Sequence, residues 1–130
     1  MIKITILGQP IPLQRHRYVF KKGKMISYDP QNKKKESFAW KCRAELNTNF
    51  KIIEGAFKLT ANFYVSKQSF LESEIEGTDR LERPDYDNYL KFVLDALQGS
   101  FWTEDSHMTR IEGGKFHSKN ARTELTVEEL

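Results

Sequence analysis

Two aspartates stand one residue apart in the second half of the chain, and a lysine follows the second of them by four positions. These residues are Asp85, Asp87 and Lys91. Carboxylates this close repel each other unless a cation neutralises them, and their oxygens are the ligands that hard divalent ions such as Mg²⁺ prefer. The pair is therefore a candidate magnesium site, with the ammonium group of Lys91 one helical turn beyond it.

Two structural roles explain the same residues without a metal. Asp85 or Asp87 could cap the start of a helix, and Asp87 could form an ordinary i, i+4 ion pair with Lys91. A calcium-binding EF-hand loop is a worse fit, because Tyr89 and Leu90 stand where a further oxygen ligand and the turn glycine belong. Spacing alone leaves the metal site and the structural roles open.

Three stretches around the pair follow one another closely along the chain. They are Arg83-Pro84-Asp85-Tyr86-Asp87-Asn88-Tyr89-Leu90-Lys91, Leu94-Asp95-Ala96-Leu97 and Phe101-Trp102-Thr103-Glu104-Asp105-Ser106. Together they resemble the signature of the RusA-type Holliday junction resolvases, which show R-x-D-x-D-N-x-x-K, then D-A-L, then a W-x-D-D-like turn. Two stretches near the start resemble the opening of that family more loosely, Gly8-Gln9-Pro10-Ile11-Pro12 and Arg15-His16-Arg17.

The resemblance implies a catalytic role for four of these residues and a supporting role for two more. The implied metal ligands are Asp85, Asp87 and Asp105. Lys91 would lie against the scissile phosphate and stabilise its developing charge. Asn88 would support the carboxylates, and Asp95 would fix the helix in place. Glu104 and His107 depart from the commoner Asp and Gln of the family, which affects fine specificity more than chemistry.

The resemblance also implies an activity. It indicates a Mg²⁺-dependent endodeoxyribonuclease, with Mn²⁺ able to substitute, that resolves four-way DNA junctions by paired symmetric nicks. Such an ion can activate water and act as a Lewis acid on the phosphate. A junction has approximate two-fold symmetry, so a C₂ homodimer would match it. Two rivals stay open: a non-catalytic DNA-binding recombination accessory protein, and a nuclease for other branched DNA such as flaps or forks.

Charge is distributed unevenly along the chain. The formal net charge is +3, but residues 1–50 carry +8 and residues 51–130 carry −5. A basic half suits a polyanionic partner such as DNA, although an uneven solvated surface would look the same. The candidate DNA contacts are Arg15, Arg17, Lys21, Lys22, Lys24 and Arg83, with a further lysine run at 33–35. Tyr18 or Phe20 could wedge or stack at a branch point, or could belong to the core.

Hydrophobic spacing predicts the elements that position these residues. Predicted strands cover residues 2–7, 56–65, 108–117 and 122–127, and a two-stranded ribbon covers 15–28 around Lys22-Gly23. One predicted helix starts with Asp29 as N-cap and Pro30 at the first position and runs to about Asn47; a second covers residues 85–97. Residues 66–83 are predicted to be a mobile loop. This order predicts a single α/β (α+β) domain over residues 1–130, with a mixed sheet packed by two main helices.

The second predicted helix is apolar on two sides and ionic on a third. One side holds Leu90, Val93, Leu94 and Leu97, another holds Tyr89, Phe92 and Ala96, and the charged stripe holds Asp87, Lys91 and Asp95. A second apolar side indicates either a subunit interface or a helix packed between a sheet and another helix.

Composition excludes several classes of protein. The chain has 130 residues, and no apolar run approaches the roughly 20 residues that a membrane span needs. The single cysteine, Cys42, excludes an internal disulfide and a zinc site built on cysteine pairs, and its helical spacing predicts a buried, inert thiol. The start lacks the pattern of a signal peptide, so a cytoplasmic protein is expected. Three dispersed histidines do not predict a metal triad, and Trp40 and Trp102 are expected in the core or an interface.

Overall fold

A computed structural model of the chain describes residues 1–46, 49–66 and 76–130. The strands are β1 (Ile2–Leu7), β2 (Arg17–Lys21), β3 (Lys24–Tyr28), β4 (Phe57–Val65), β5 (Met108–His117) and β6 (Arg122–Glu129). The helices are α1 (Asn32–Ala44) and α2 (Tyr86–Leu97), and a short 3₁₀ turn at Asp105–His107 precedes β5. The predicted mixed α/β fold is confirmed. Within the described ranges, no helix has the length and apolar character needed to cross a membrane.

Four strands form one mixed sheet in the order β1-β6-β4-β5. β4 runs parallel to β5 and antiparallel to β6, which in turn pairs antiparallel with β1. Alternate side chains of β4 are buried because successive residues of a strand point to opposite faces. The buried set is Phe57, Leu59, Ala61, Phe63 and Val65. The strand begins at Phe57 rather than at the predicted Ala56, whose carbonyl accepts a hydrogen bond from the N–H of Leu130 at 3.0 Å.

α2 packs between the sheet and α1. Tyr89 stacks on Phe63 of β4 with ring centroids 5.2 Å apart, and Phe92 meets Phe38 of α1 edge-on at 5.5 Å. Leu90 and Leu94 are half-buried against the same core. The two apolar sides of the helix are therefore explained by packing within one chain, and the second side needs no subunit interface.

The start of α1 differs from the prediction. The carboxylate of Asp29 accepts a hydrogen bond from the N–H of Gln31 at 2.9 Å, so Asp29-Pro30 forms a turn ahead of the helix. The helix begins at Asn32, after Gln31, whose carbonyl accepts from the N–H of Lys35 at 2.9 Å. It ends at Ala44, short of the predicted end near residue 47, which itself lies outside the described residues.

The predicted ribbon is present as β2 and β3. The strands are antiparallel and joined by Lys22 and Gly23, both with positive φ (51° and 72°), the requirement of a tight two-residue hairpin turn. All residues of both strands are exposed, so the ribbon projects from the packed core.

The predicted mobile loop at residues 66–83 lies partly outside the described residues. Its described part is Ser66 and residues 76–83, and the latter follow the edge of β5. The N–H of Gly77 donates to the carbonyl of His117 at 2.8 Å, and the N–H of Arg80 donates to the carbonyl of Lys115 at 3.0 Å. This part is therefore hydrogen-bonded to the sheet rather than loose.

The exposure of Cys42, Trp102 and Trp40 tests whether each lies in the core. Cys42 is fully buried, and desolvation raises its pKa to about 12, as expected for an inert thiol. Trp102 is buried and stacks on Phe57 with centroids 4.6 Å apart. Trp40 lies outside the core of the chain, because it is 69% exposed and carries the guanidinium of Arg43 4.9 Å above its ring.

Candidate active site

The first turn of α2 is anchored to the sheet through Tyr86. Its hydroxyl donates to the carbonyl of Ala61 on β4 at 2.8 Å, and burial raises the pKa of this hydroxyl to about 12. Residue 113 must be glycine, because a side chain there would collide with the Ala61 carbonyl and the Tyr86 hydroxyl. A Cβ on Gly113 would lie 1.8 Å from the Ala61 oxygen and 2.9 Å from the Tyr86 hydroxyl. The β4–β5 pair thus fixes the position of the first turn of α2, which carries Asp85 and Asp87.

The backbone that leads into α2 is also held by two cationic side chains. The ammonium of Lys115 donates to the carbonyls of Glu82 and Pro84 at 2.7 and 3.0 Å. The buried guanidinium of Arg80 donates to the carbonyl of Arg83 at 3.2 Å. These bonds hold the three residues immediately before the first aspartate of the candidate site.

A buried glutamine positions the segment that precedes the ribbon. The side chain of Gln31 accepts from the N–H of Gln14 at 2.8 Å and donates to the carbonyl of Pro12 at 2.8 Å. Gln31 is only 1% exposed, and both ends of its amide are satisfied by this segment. It therefore clamps residues 12–14 against the start of α1.

The clamped segment meets the first turn of α2 directly. The N–H of Leu13 donates to the carbonyl of Asn88 at 2.9 Å. Because Arg15 and Arg17 follow within four residues, the basic segment begins beside the turn that carries Asp87. The six predicted DNA-contacting side chains belong to exposed residues, Arg15, Arg17, Lys21, Lys22, Lys24 and Arg83.

Asp85, Asp87 and Lys91 are all exposed at this turn. Asp85 occupies the N-cap position, but its side chain makes no capping hydrogen bond. Asp87 and Lys91 form the expected i, i+4 pair, with the carboxylate oxygen 3.6 Å from the ammonium nitrogen. Their side chains are 63% and 57% exposed, so this pair is weak and leaves the ammonium available to another anion.

Asp95 and Asp105 lie together near the other end of α2. The carboxylate of Asp95 on α2 is 3.3 Å from the ammonium of Lys35 on α1, and this pair joins the two helices. Lys35 also pairs with Asp29. The carboxylate of Asp105 accepts from the indole N–H of Trp102 at 2.7 Å. Burial raises the pKa of Asp105, the bond from Trp102 opposes that shift, and the negative charge of Asp95 adds to it.

The two acidic groups are separated along the helix. Asp87 and Asp95 are eight residues apart, which is roughly 12 Å along a helix axis. Within the described ranges, no group of three or more His, Cys, Asp or Glu side chains is placed to hold a metal ion. One chain therefore does not gather Asp105 with Asp85 and Asp87. The two exposed carboxylates at the helix start still suit Mg²⁺, which often binds proteins through one or two carboxylates and keeps several waters.

Sequence reasoning missed the residues that position this turn. They are Gln31, Tyr86, Gly113 and Lys115. Most of them are ordinary residue types at ordinary spacing, and their partners are distant in sequence, so no local signal marks them. Gly113-Gly114 is the exception, because glycine inside a predicted strand indicates a bulge or a close backbone approach.

The site thus combines a solvent-exposed acidic pair, a lysine and an adjacent basic segment on a mixed α/β fold. The family model described as Endodeoxyribonuclease RusA matches residues 8–128, and the chain belongs to this family of endodeoxyribonucleases. The chain is also similar to the uncharacterized protein YqaN of Bacillus subtilis (strain 168). The two are 26% identical over 137 aligned positions, which cover 99% of this chain and 96% of the relative. The resemblance drawn from the three motif stretches is thereby confirmed.

Proposed function

We propose that this protein is a Mg²⁺-dependent endodeoxyribonuclease that resolves four-way (Holliday) junctions by paired symmetric nicks, in cytoplasmic DNA recombination and repair. The observation that carries the proposal is the first turn of α2, which presents Asp85, Asp87 and Lys91 to solvent beside the basic segment. Family membership supports cleavage of DNA. The junction as substrate, and the metal, are the further steps proposed here.

Asp85 and Asp87 would hold the divalent ion, and Mn²⁺ would substitute for Mg²⁺ because both accept carboxylate oxygens. When bound, the ion supplies Lewis-acid stabilisation of the phosphate. Lys91 brings a positive charge to a turn whose carboxylates would otherwise repel the DNA backbone. Its ammonium exchanges the weak contact with Asp87 for a phosphate oxygen and stabilises the charge that develops there.

Asp105 completes the acidic cluster only if a second copy of the chain supplies it. The exposed stripe of α2 runs Asp87, Lys91, Asp95, with Asp105 beside its far end. A second copy packed alongside α2 in antiparallel order, with Lys91 left open to DNA, would set Asp105 of one copy next to Asp85 and Asp87 of the other. We propose this homodimer, which also matches the two-fold symmetry of a junction.

Lys91→Ala is expected to slow single-turnover cleavage of a four-way junction by about 10²–10³-fold, the usual cost of losing one charge-stabilising donor. The side chain is more than half exposed, so the thermal unfolding curve followed by circular dichroism should stay unchanged. Lys91→Arg keeps the charge and should recover part of the rate. Unchanged cleavage by the alanine variant would contradict the role given to this ammonium.

Arg15→Ala and Arg17→Ala are expected to weaken junction binding and to make it less salt-dependent. Each lost phosphate contact should lower the slope of log Kd against log salt by about 1. The measurement is a fluorescence anisotropy titration in Mg²⁺-free buffer at several salt concentrations. Arg110→Ala removes an equally exposed arginine from β5 and is the matched control. A slope that stays at the wild-type value would count against DNA contact by these arginines.

Comparing DNA substrates separates this function from its rivals. The expected order of cleavage is four-way junction first, with flaps, forks and linear duplex far slower. Faster cleavage of flaps or forks would indicate a nuclease for other branched DNA. Binding to all branched substrates with no nicking at any Mg²⁺ or Mn²⁺ concentration would indicate a non-catalytic accessory protein.

A further inference from the structure

The β2–β3 ribbon carries apolar side chains that the described part of the protein leaves in solvent. Tyr18, Phe20 and Met25 are 67%, 68% and 62% exposed. Val19, Ile26 and Tyr28 are also exposed on the same ribbon. A cluster of exposed apolar side chains on one small element marks an interaction site.

The strand register divides the ribbon into two chemically different faces. Tyr18 lies opposite Ser27 and Phe20 lies opposite Met25, so these four residues share one face. That face carries no charge. The other face consists of Arg17, Val19, Lys21, Lys24, Ile26 and Tyr28. The ribbon therefore carries its cations on one side, beside Val19, Ile26 and Tyr28, and at its Lys22 tip, and its other side is neutral.

This division favours DNA over a second protein copy as the occupant. A second copy packed on the neutral face would leave Arg17, Lys21 and Lys24 without an anionic partner, and one packed on the other face would bring these cations close to those of the copy. Nucleic acid satisfies both faces, because its phosphates neutralise the cations and its base planes stack on aromatic rings.

We infer that the neutral face of the ribbon, led by Phe20 and Tyr18, inserts against bases exposed at the branch point of DNA while the cationic face holds the adjacent phosphates. This role of the ribbon rests on the proposed function, and it makes the ribbon the element that recognises branched DNA. Bases within a continuous duplex are already stacked, and a wedge must unstack them. At a branch point the stack is interrupted, so the same ring gains contact without that cost, which gives preference for branched DNA.

The test compares Phe20→Ala with wild type in Mg²⁺-free buffer, where binding is measured without cleavage. Affinity for a four-way junction carrying 2-aminopurine at its centre should fall by about tenfold, the usual scale of one base–aromatic stack. Affinity for linear duplex should not change, and the change in 2-aminopurine fluorescence on binding should be lost. Phe20→Tyr keeps a ring and should retain the wild-type junction affinity and the fluorescence change. Trp40→Ala removes an equally exposed aromatic from α1 and should change neither.

Each contrary result points to a different error. A Phe20→Ala variant with wild-type junction affinity and fluorescence overturns the inference, and the proposed function still stands if the wild type nicks junctions. A variant that sediments as a monomer where the wild type sediments as a dimer shows that the ribbon binds a second copy, which also overturns it. A wild type that neither prefers nor nicks junctions refutes the proposed function and the inference with it.

Discussion

Asp87→Asn is expected to lower the rate of junction cleavage by at least about 100-fold while junction binding survives. Losing a residue that only supports a metal ligand already costs about 10- to 100-fold, so losing the charge of a ligand should cost no less. Asparagine has nearly the same shape, and Asp87 is exposed, so the fold should persist. The measurement is single-turnover cleavage with Mg²⁺, together with a gel-shift titration without it.

Two further variants complete this experiment. Glu45→Gln removes an exposed carboxylate at the end of α1 and should cleave like wild type. An equimolar mixture of the Asp87→Asn and Asp105→Asn variants should regain nicking, because mixed dimers would contain one intact composite site. A mixture that stays inactive contradicts a shared site, and loss of binding by Asp87→Asn alone contradicts the metal role.

Gly113→Ala is expected to give the largest loss of stability, at least about 3 kcal/mol in the free energy of unfolding, because a clash and backbone strain act at one position. The added Cβ would lie 1.8 Å from the Ala61 carbonyl oxygen, and φ is +133°. Cleavage should fall as well, since the same glycine admits the hydroxyl of Tyr86. The measurement is urea unfolding followed by circular dichroism.

Gly55→Ala is the matched control for this change. A Cβ there meets nothing within 4 Å, and the backbone is not in the left-handed region, so the effect should stay within about 0.5 kcal/mol. If Gly113→Ala is as stable as Gly55→Ala, the close approach of β4 and β5 described here is wrong.

Elements with strong hydrophobic periodicity could be predicted from the sequence nearly to the residue. β4 was predictable because five apolar residues alternate without interruption, and α2 because two apolar sides and a charged stripe repeat at helical spacing. The start of α1 could not be predicted in this way. Asp29-Pro30 suits both a helix start and a turn, and the buried contacts of Gln31 with residues 12–14 accompany the turn.

The candidate site was predictable only as far as local spacing reaches. Asp85, Asp87 and Lys91 lie within two helical turns, so their common exposure follows from the sequence pattern. The position of Asp105 depends instead on how Trp102 is buried after α2, and spacing carries no information about that. The anchors Tyr86 and Lys115 contact residues 25 to 33 positions away, so only the folded chain reveals them.

Cleavage of a mobile four-way junction, labelled in turn on each strand, tests the central claim most directly. With Mg²⁺, the wild type should produce paired nicks at symmetric positions on two opposing strands. Omission of the metal or Asp87→Asn should remove both nicks and leave the bound complex intact. Equal nicking with Mg²⁺ and with excess chelator, or undiminished nicking by the Asp87→Asn variant, would contradict a cleavage site built on these aspartates.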